Sequence, residues 1–152
     1  HLDTLMMIDR SGNVVWEKRE PLWGHQHNAE VLPNGNITLY ANGMINIVQP
    51  LHSRVLEIDP ATGETVWQYK APQSWTFFSP VISGAQRLAN ENTLICEGIN
   101  GRVFEVTRSG DVVWEYVSPF FNTLFPSDGP CNALFRAYRY GADSPEIGGR
   151  LR

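Results

Sequence analysis

The chain has 152 residues, enough for one ordinary domain, and its 42% hydrophobic and 18% charged residues are the balance of a folded protein rather than a disordered one. Its formal charge of -4 argues against a nucleic-acid partner, because phosphate binding needs a basic surface. No apolar run is long enough to cross a bilayer as a helix.

In chain order, the first legible element is Leu5–Glu17 (LMMIDRSGNVVWE): an apolar run, a tight turn at Gly12, and a strand that closes on Trp16. A short segment holding His25 and His27 leads into Ala29–Tyr40 (AEVLPNGNITLY), where Asn34-Gly35 between apolar runs is a strong hairpin signal. The sequon Asn36-Ile37-Thr38 doubles as that turn, which accounts for it without glycosylation. After the loop Gly43–His52 (GMINIVQPLH) the opening phrase returns as Val55–Gln68 (VLEIDPATGETVWQ). A second hairpin, Ala85–Cys96 (AQRLANENTLIC), carries the weaker turn Asn90-Glu91-Asn92, and the phrase comes back once more as Val103–Glu115 (VFEVTRSGDVVWE). A strand-like stretch, ALFRAYRYG, comes next at residues 133–141.

Trp16, Trp67 and Trp114 stand 51 and 47 residues apart, and Gly12, Gly63 and Gly110 keep the same spacing. A period near fifty made of short alternating strands predicts an all-β repeat architecture of four-stranded antiparallel blades, a β-propeller. The expected partition is an outer half-blade over 1–21, a blade over 22–72, a second over 73–119, and the strand of a further blade plus a tail over 120–152. The repeated Trp is expected to pack between neighbouring blades. About two and a half blades make an incomplete ring with open edges, so the remaining blades must come from missing residues, another chain or self-association. The chain begins at His1 with neither Met nor a signal-peptide pattern and so reads as a fragment or a processed product.

The informative positions are those where the copies differ. Gly43–His52 stands where the next copy has only Ile99-Asn100, and loop elaboration on one face of a repeat protein marks its working face. His25 and His27 lie on that same side and become Val81 and Ser83 in the next copy, while His52 closes the inserted loop beside Arg54. Imidazole suits a covalent nucleophile or a metal ligand, or simply a polar junction between loop and strand. His-x-His without a nearby carboxylate or Cys is a weak metal signal, and neither metal nor cofactor is expected. Arg54, Arg87, Arg136 and Arg139 could hold an anionic substrate, since the guanidinium fork fits sulfate, phosphate or carboxylate oxygens. Phe135, Tyr138 and Tyr140 either line a pocket for an aromatic ring or belong to the core of a strand. Cys96 falls in a predicted strand and Cys131 in a loop, which leaves a disulfide and the compartment open.

Taken in order, GHQHNAEVLPNGN, SRVLEIDPATGETVWQY, GAQRLANENTLICEG, GRVFEVTRSGDVVWEY and FRAYRYGADSPE resemble the arylsulfotransferase propeller family, from about Asp3 to Glu146 and in its C-terminal portion. The DPATGETVW element alone is less specific, being shared with pyrroloquinoline-quinone-type repeats. The resemblance implies a propeller of about six blades that passes a sulfuryl group from a phenolic sulfate to a phenol through a histidine, with no nucleotide cofactor. It matches His27 to the nucleophile, His25 to an assisting acid or base, and Arg54 or Arg136 to the sulfuryl oxygens. His52, Tyr138 and Arg139 then become candidate substrate-binding residues. It also implies a periplasmic or secreted home. The family's enzymes gather their histidines and arginine from several blades, so the alternative is a non-catalytic propeller segment that binds or assembles within a larger complex.

Overall fold

The computed structural model describes residues 2–44, 50–123, 129–142, 144–148 and 150. Among them are ten strands, all paired antiparallel, and no α-helix. Strands β1 (Thr4–Ile8) and β2 (Val14–Arg19) form a two-stranded hairpin. A four-stranded sheet follows in the order β3 (His27–Val31), β4 (Ile37–Ala41), β5 (Arg54–Ile58) and β6 (Thr65–Tyr69). The second sheet repeats that order with β7 (Gly84–Arg87), β8 (Thr93–Glu97), β9 (Arg102–Val106) and β10 (Val112–Val117). These are two propeller blades, and the β1–β2 hairpin matches the outer two strands of a third.

The hairpins form where their turn residues allow. Leu32 and Gly35 close the first with backbone hydrogen bonds, Gly35 taking φ +87° as the tight turn requires. Each outer hairpin is bulged at one place: the pairing slips between Met7 and Ile8, between Glu57 and Ile58, and between Val112 and Trp114. The residue left over is the valine before each tryptophan, Val15, Val66 or Val113. A bulge turns the strand and re-aims the side chains beyond it. Trp16, Trp67 and Trp114 are thereby set opposite Met7, Glu57 and Glu105.

Inner strands β4 and β8 are buried along their whole length because both faces of each blade are covered. Ile37, Leu39, Ala41, Leu56 and Ile58 pack toward Leu5, Met7 and Trp16 of the first hairpin. Tyr40, Val55 and Tyr69 on the opposite face meet Phe77, Ala85, Ile95 and Phe104. Burying each such large apolar side chain contributes about 1.5–3 kcal/mol. Trp16 and Trp67 sit at these seams and use their one polar atom there. Trp16 Nε1 donates to the Pro60 carbonyl at 2.9 Å, and Trp67 Nε1 donates to the Arg108 carbonyl at 2.8 Å, each on the outer turn of the next blade.

A buried acid pins the second seam. Glu57 accepts from the Asn34 and Asn36 amides of its own blade and from Arg87 and Arg108 of the next, at 2.8 and 3.0 Å for the two arginines. Burial pushes its carboxyl up, but the two amides and two guanidiniums together hold it below the usual range. Glu105 repeats the arrangement with Asn90, Asn92 and Arg139, and its carboxyl is likewise held low, chiefly by the Asn92 amide. At the first seam the corresponding residues are Met7 and Val31, which line one small apolar cleft together.

The stretch 133–141 differs from the strand expected there. Among the described residues it has no ladder of its own, only an isolated bridge between Asn122 and Cys131 upstream. It nevertheless lies extended along β7 and β8. The Leu134 N–H donates to the Gly98 carbonyl, the Ser83 N–H to the Phe135 carbonyl, and Gln86 brackets Arg139 with its side-chain amide. Leu134 and Ala137 cover Leu94, Cys96 and Val103. The stretch is thus held by two backbone hydrogen bonds near its start and by the Gln86 side chain further on, rather than by a continuous ladder.

Candidate active site

The residues just ahead of β3 are tied down from two sides. The Trp23 and Gly24 carbonyls accept from Gly43 and Met44, while Gln26 Nε2 donates to the Thr4 carbonyl and the His25 N–H to Asp3 Oδ1 at 2.9 Å. His25 is held at φ +73° by this bracing. His27 opens β3 opposite Tyr40, and the pairing then skips to Glu30 around Asn28, which takes φ +52°. Asparagine tolerates that left-handed geometry better than most residues, so the sequence places the bulge there.

The two imidazoles come together, with ring centroids 5.2 Å apart and the rings edge to face. His27 Nδ1 lies 2.8 Å from Asn42 Oδ1 and 3.2 Å from the His25 carbonyl oxygen. Asn42 is fully buried, and its Nδ2 donates across the seam to the Ser79 and Ile82 carbonyls at 2.8 and 3.1 Å. Ser53 and Ser79, also fully buried, close the network: Ser53 Oγ donates to the Asn42 carbonyl and accepts from the Ser79 N–H. Beside the pair, His25, Asp3, Met44 and Val81 line a cleft of about 380 Å³.

The remaining candidates have contacts of their own. Arg54 reaches the Leu22 carbonyl and lies near Glu20; burial lowers its pKa and Glu20 opposes that. Its counterpart Arg102 is paired with Glu97 and Glu115, positions that in the first blade hold Ala41 and Gln68. His52 Nδ1 lies 2.8 Å from the Pro50 carbonyl, and residues 45–49 of the inserted loop lie outside the described residues. Arg136, Tyr138 and Arg139 gather along a second groove with Trp114 and Tyr116. There Arg136 donates to the Tyr138 hydroxyl at 3.1 Å, and the Arg139 guanidinium is engaged by Glu105 and lies 4.8 Å over the Trp114 ring. Arg87 is taken up by Glu57 and stacks on Trp67 in the same manner. Phe135, Tyr138 and Tyr140 are exposed rather than core. Cys96 and Cys131 are free thiols; burial, with Glu97 adding to it, pushes Cys96 up to about 11.

Asn42, Ser53 and Ser79 are absent from the sequence-derived candidates. Asn42 lies in Tyr40-Ala41-Asn42-Gly43 and looks like turn chemistry, yet the next copy has Gly98 at its place, the same kind of disagreement that singles out the histidines.

Comparison with known proteins adds a family. The family model for Arylsulfotransferase (ASST) matches residues 1–119. The chain belongs to the arylsulfotransferase family. The ASST match takes in all ten strands, His25, His27, Asn42, His52 and Arg54, and ends before Arg136, Tyr138 and Arg139. No curated protein matches the chain. Among solved structures it is similar to a protein of unknown function from Bacteroides caccae, with a TM-score of 0.56 at 19% identity. That likeness covers 76% of this chain and 39% of the other, so the ASST chain spans about two-fifths of that protein's length and shares its fold. Among the described residues no helix is long and apolar enough to cross a membrane.

Proposed function

We propose that this ASST-family chain transfers a sulfuryl group from a phenolic sulfate to a phenol by way of His27. One observation carries the reading: two imidazoles in edge-to-face contact beside a cleft, one of them held by a fully buried amide, at positions where the repeat itself uses Val81 and Ser83. In the first half-reaction the free ring nitrogen of His27 attacks sulfur. The S–O bond to the aryl oxygen breaks, its electron pair goes to that oxygen, and protonated His25 supplies the proton. In the second, neutral His25 takes the proton of the acceptor phenol as its oxygen attacks sulfur. The N–S bond then breaks and its pair returns to His27. Atoms and charge balance without a cofactor. Arg54 and Arg136 remain the groups of this chain proposed for the sulfuryl oxygens, with His52, Tyr138 and Arg139 proposed to contact substrate.

The test uses 4-nitrophenyl sulfate as donor and phenol as acceptor with the intact protein. Nitrophenolate release is expected to depend on phenol and to give the parallel double-reciprocal lines of a ping-pong reaction. His27→Ala is expected to abolish it while leaving the β-sheet circular dichroism unchanged. Turnover equal to the parent in that variant would remove His27 from the mechanism.

A further inference from the structure

We infer that Asn42 is a positioning residue that holds His27 as the Nδ1–H tautomer, leaving the lone pair on Nε2. The inference rests on the proposed catalysis only for its consequence; the tautomer is set by hydrogen-bond chemistry alone. A side-chain amide presents two faces that differ only in whether they donate or accept, so its orientation must be read from its partners. For Asn42 the partners settle it. One end meets the Ser79 and Ile82 carbonyl oxygens at 2.8 and 3.1 Å, which can only accept, so that end is the NH₂. The end 2.8 Å from His27 Nδ1 is therefore the carbonyl oxygen, an acceptor. The other neighbour of Nδ1, the His25 carbonyl oxygen at 3.2 Å, is an acceptor too. Nδ1 faces two acceptors and must carry the proton, which in a neutral imidazole leaves Nε2 bare. Among the described residues no hydrogen bond engages Nε2.

The repeat supplies an internal control. In the next blade the positions of His27 and Asn42 are occupied by Ser83 and Gly98, and a hydrogen bond joins those as well, from the Gly98 N–H to Ser83 Oγ at 2.9 Å. The scaffold thus needs a contact at this place but meets it with a serine and a backbone amide. Where the copy has no imidazole it has no asparagine. The amide is also unable to turn over, because flipping it would set its NH₂ against Nδ1–H and its oxygen against two carbonyls. With Asn42 fully buried, water cannot relieve that mismatch. The blade seam thereby fixes the protonation pattern of the ring: Ser79 and Ile82 of one blade orient the amide, and the amide orients His27 of the other.

The consequence for the proposed reaction is that the nucleophile is defined as Nε2. When Nε2 takes the sulfuryl group, the ring becomes cationic and Nδ1–H becomes a stronger donor to the Asn42 oxygen, so the contact tightens as the intermediate forms.

The test is long-range ¹H–¹⁵N correlation on the intact protein with ¹⁵N-labelled histidine, at a pH where His27 is neutral. His27 is expected to show a protonated Nδ1 and a bare Nε2. A protonated Nε2 in the unmodified protein would overturn the inference, and this arm needs no variant to fold. Asn42→Ala is expected to lose the tautomer preference and to lower kcat by about 10²- to 10⁴-fold with little change in KM. An unchanged tautomer in folded Asn42→Ala would also overturn the role given to Asn42. The two ideas separate cleanly: if His27→Ala retains turnover while the tautomer is as expected, the nucleophile reading fails and the role of Asn42 in setting the ring stands.

Discussion

Glu91 occupies the turn position that Gly35 holds in the preceding blade and is driven to φ +68° there. A side chain in that region costs about 1–2 kcal/mol, which glycine escapes. Glu91→Gly is therefore expected to stabilise the fold by about 1 kcal/mol, read as a raised urea midpoint at constant slope. Residues of this kind mark the limit of what single positions disclose. His25 and His27 are legible because a copy lacking them lies in the same sequence, but the edge-to-face contact of their rings is made with His25 bent to φ +73°, which their spacing does not disclose. Asn42 is not legible, because its meaning is made by two carbonyls 37 and 40 residues away, and carbonyls belong to every residue alike. Arg87 and Arg139 look like anion holders for the same reason that makes them good seam residues: a planar fork that can meet a carboxylate and lie on an indole at once.

At the scale of elements, the outer hairpins and the strands they join are readable from alternation and turn residues. The stretch 133–141 reads as a strand because its pattern is a strand's, but a ladder needs a partner and pattern does not supply one. The seams explain a covariation visible within the one chain. Glu57 pairs with Arg87 and Glu105 with Arg139, whereas Met7 and Val31 stand together at the first seam. An ion pair in such a place can be exchanged for apolar groups as a unit, but removing one partner strands a buried charge. Glu57→Met alone is expected to cost about 3–5 kcal/mol, and adding Arg87→Val to recover much of that loss. A double-mutant cycle by chemical denaturation measures it; strictly additive effects would show that the two side chains are independent.

For the molecule as a whole, the tryptophans report which seams are closed. Trp16 and Trp67 give their indole protons to a carbonyl on the following blade, and among the described residues no carbonyl receives that of Trp114. In hydrogen exchange followed by NMR, the Trp16 and Trp67 indole protons are expected to outlast that of Trp114; equal rates would mean that these bonds do not hold the seams shut. The apolar packing at the seams is non-directional, so hydrophobic burial by itself would tolerate a neighbour facing either way. The indole bond does not. In the blade of β3–β6 the acceptor Pro60 and the donor Trp67 sit on opposite flanks, as the two halves of a zip sit on opposite edges of cloth, so that unit can follow only one kind of neighbour in only one orientation. A stack built this way carries an arrow along its length, and a unit set in the wrong sense meets a donor with a donor on one flank and an acceptor with an acceptor on the other.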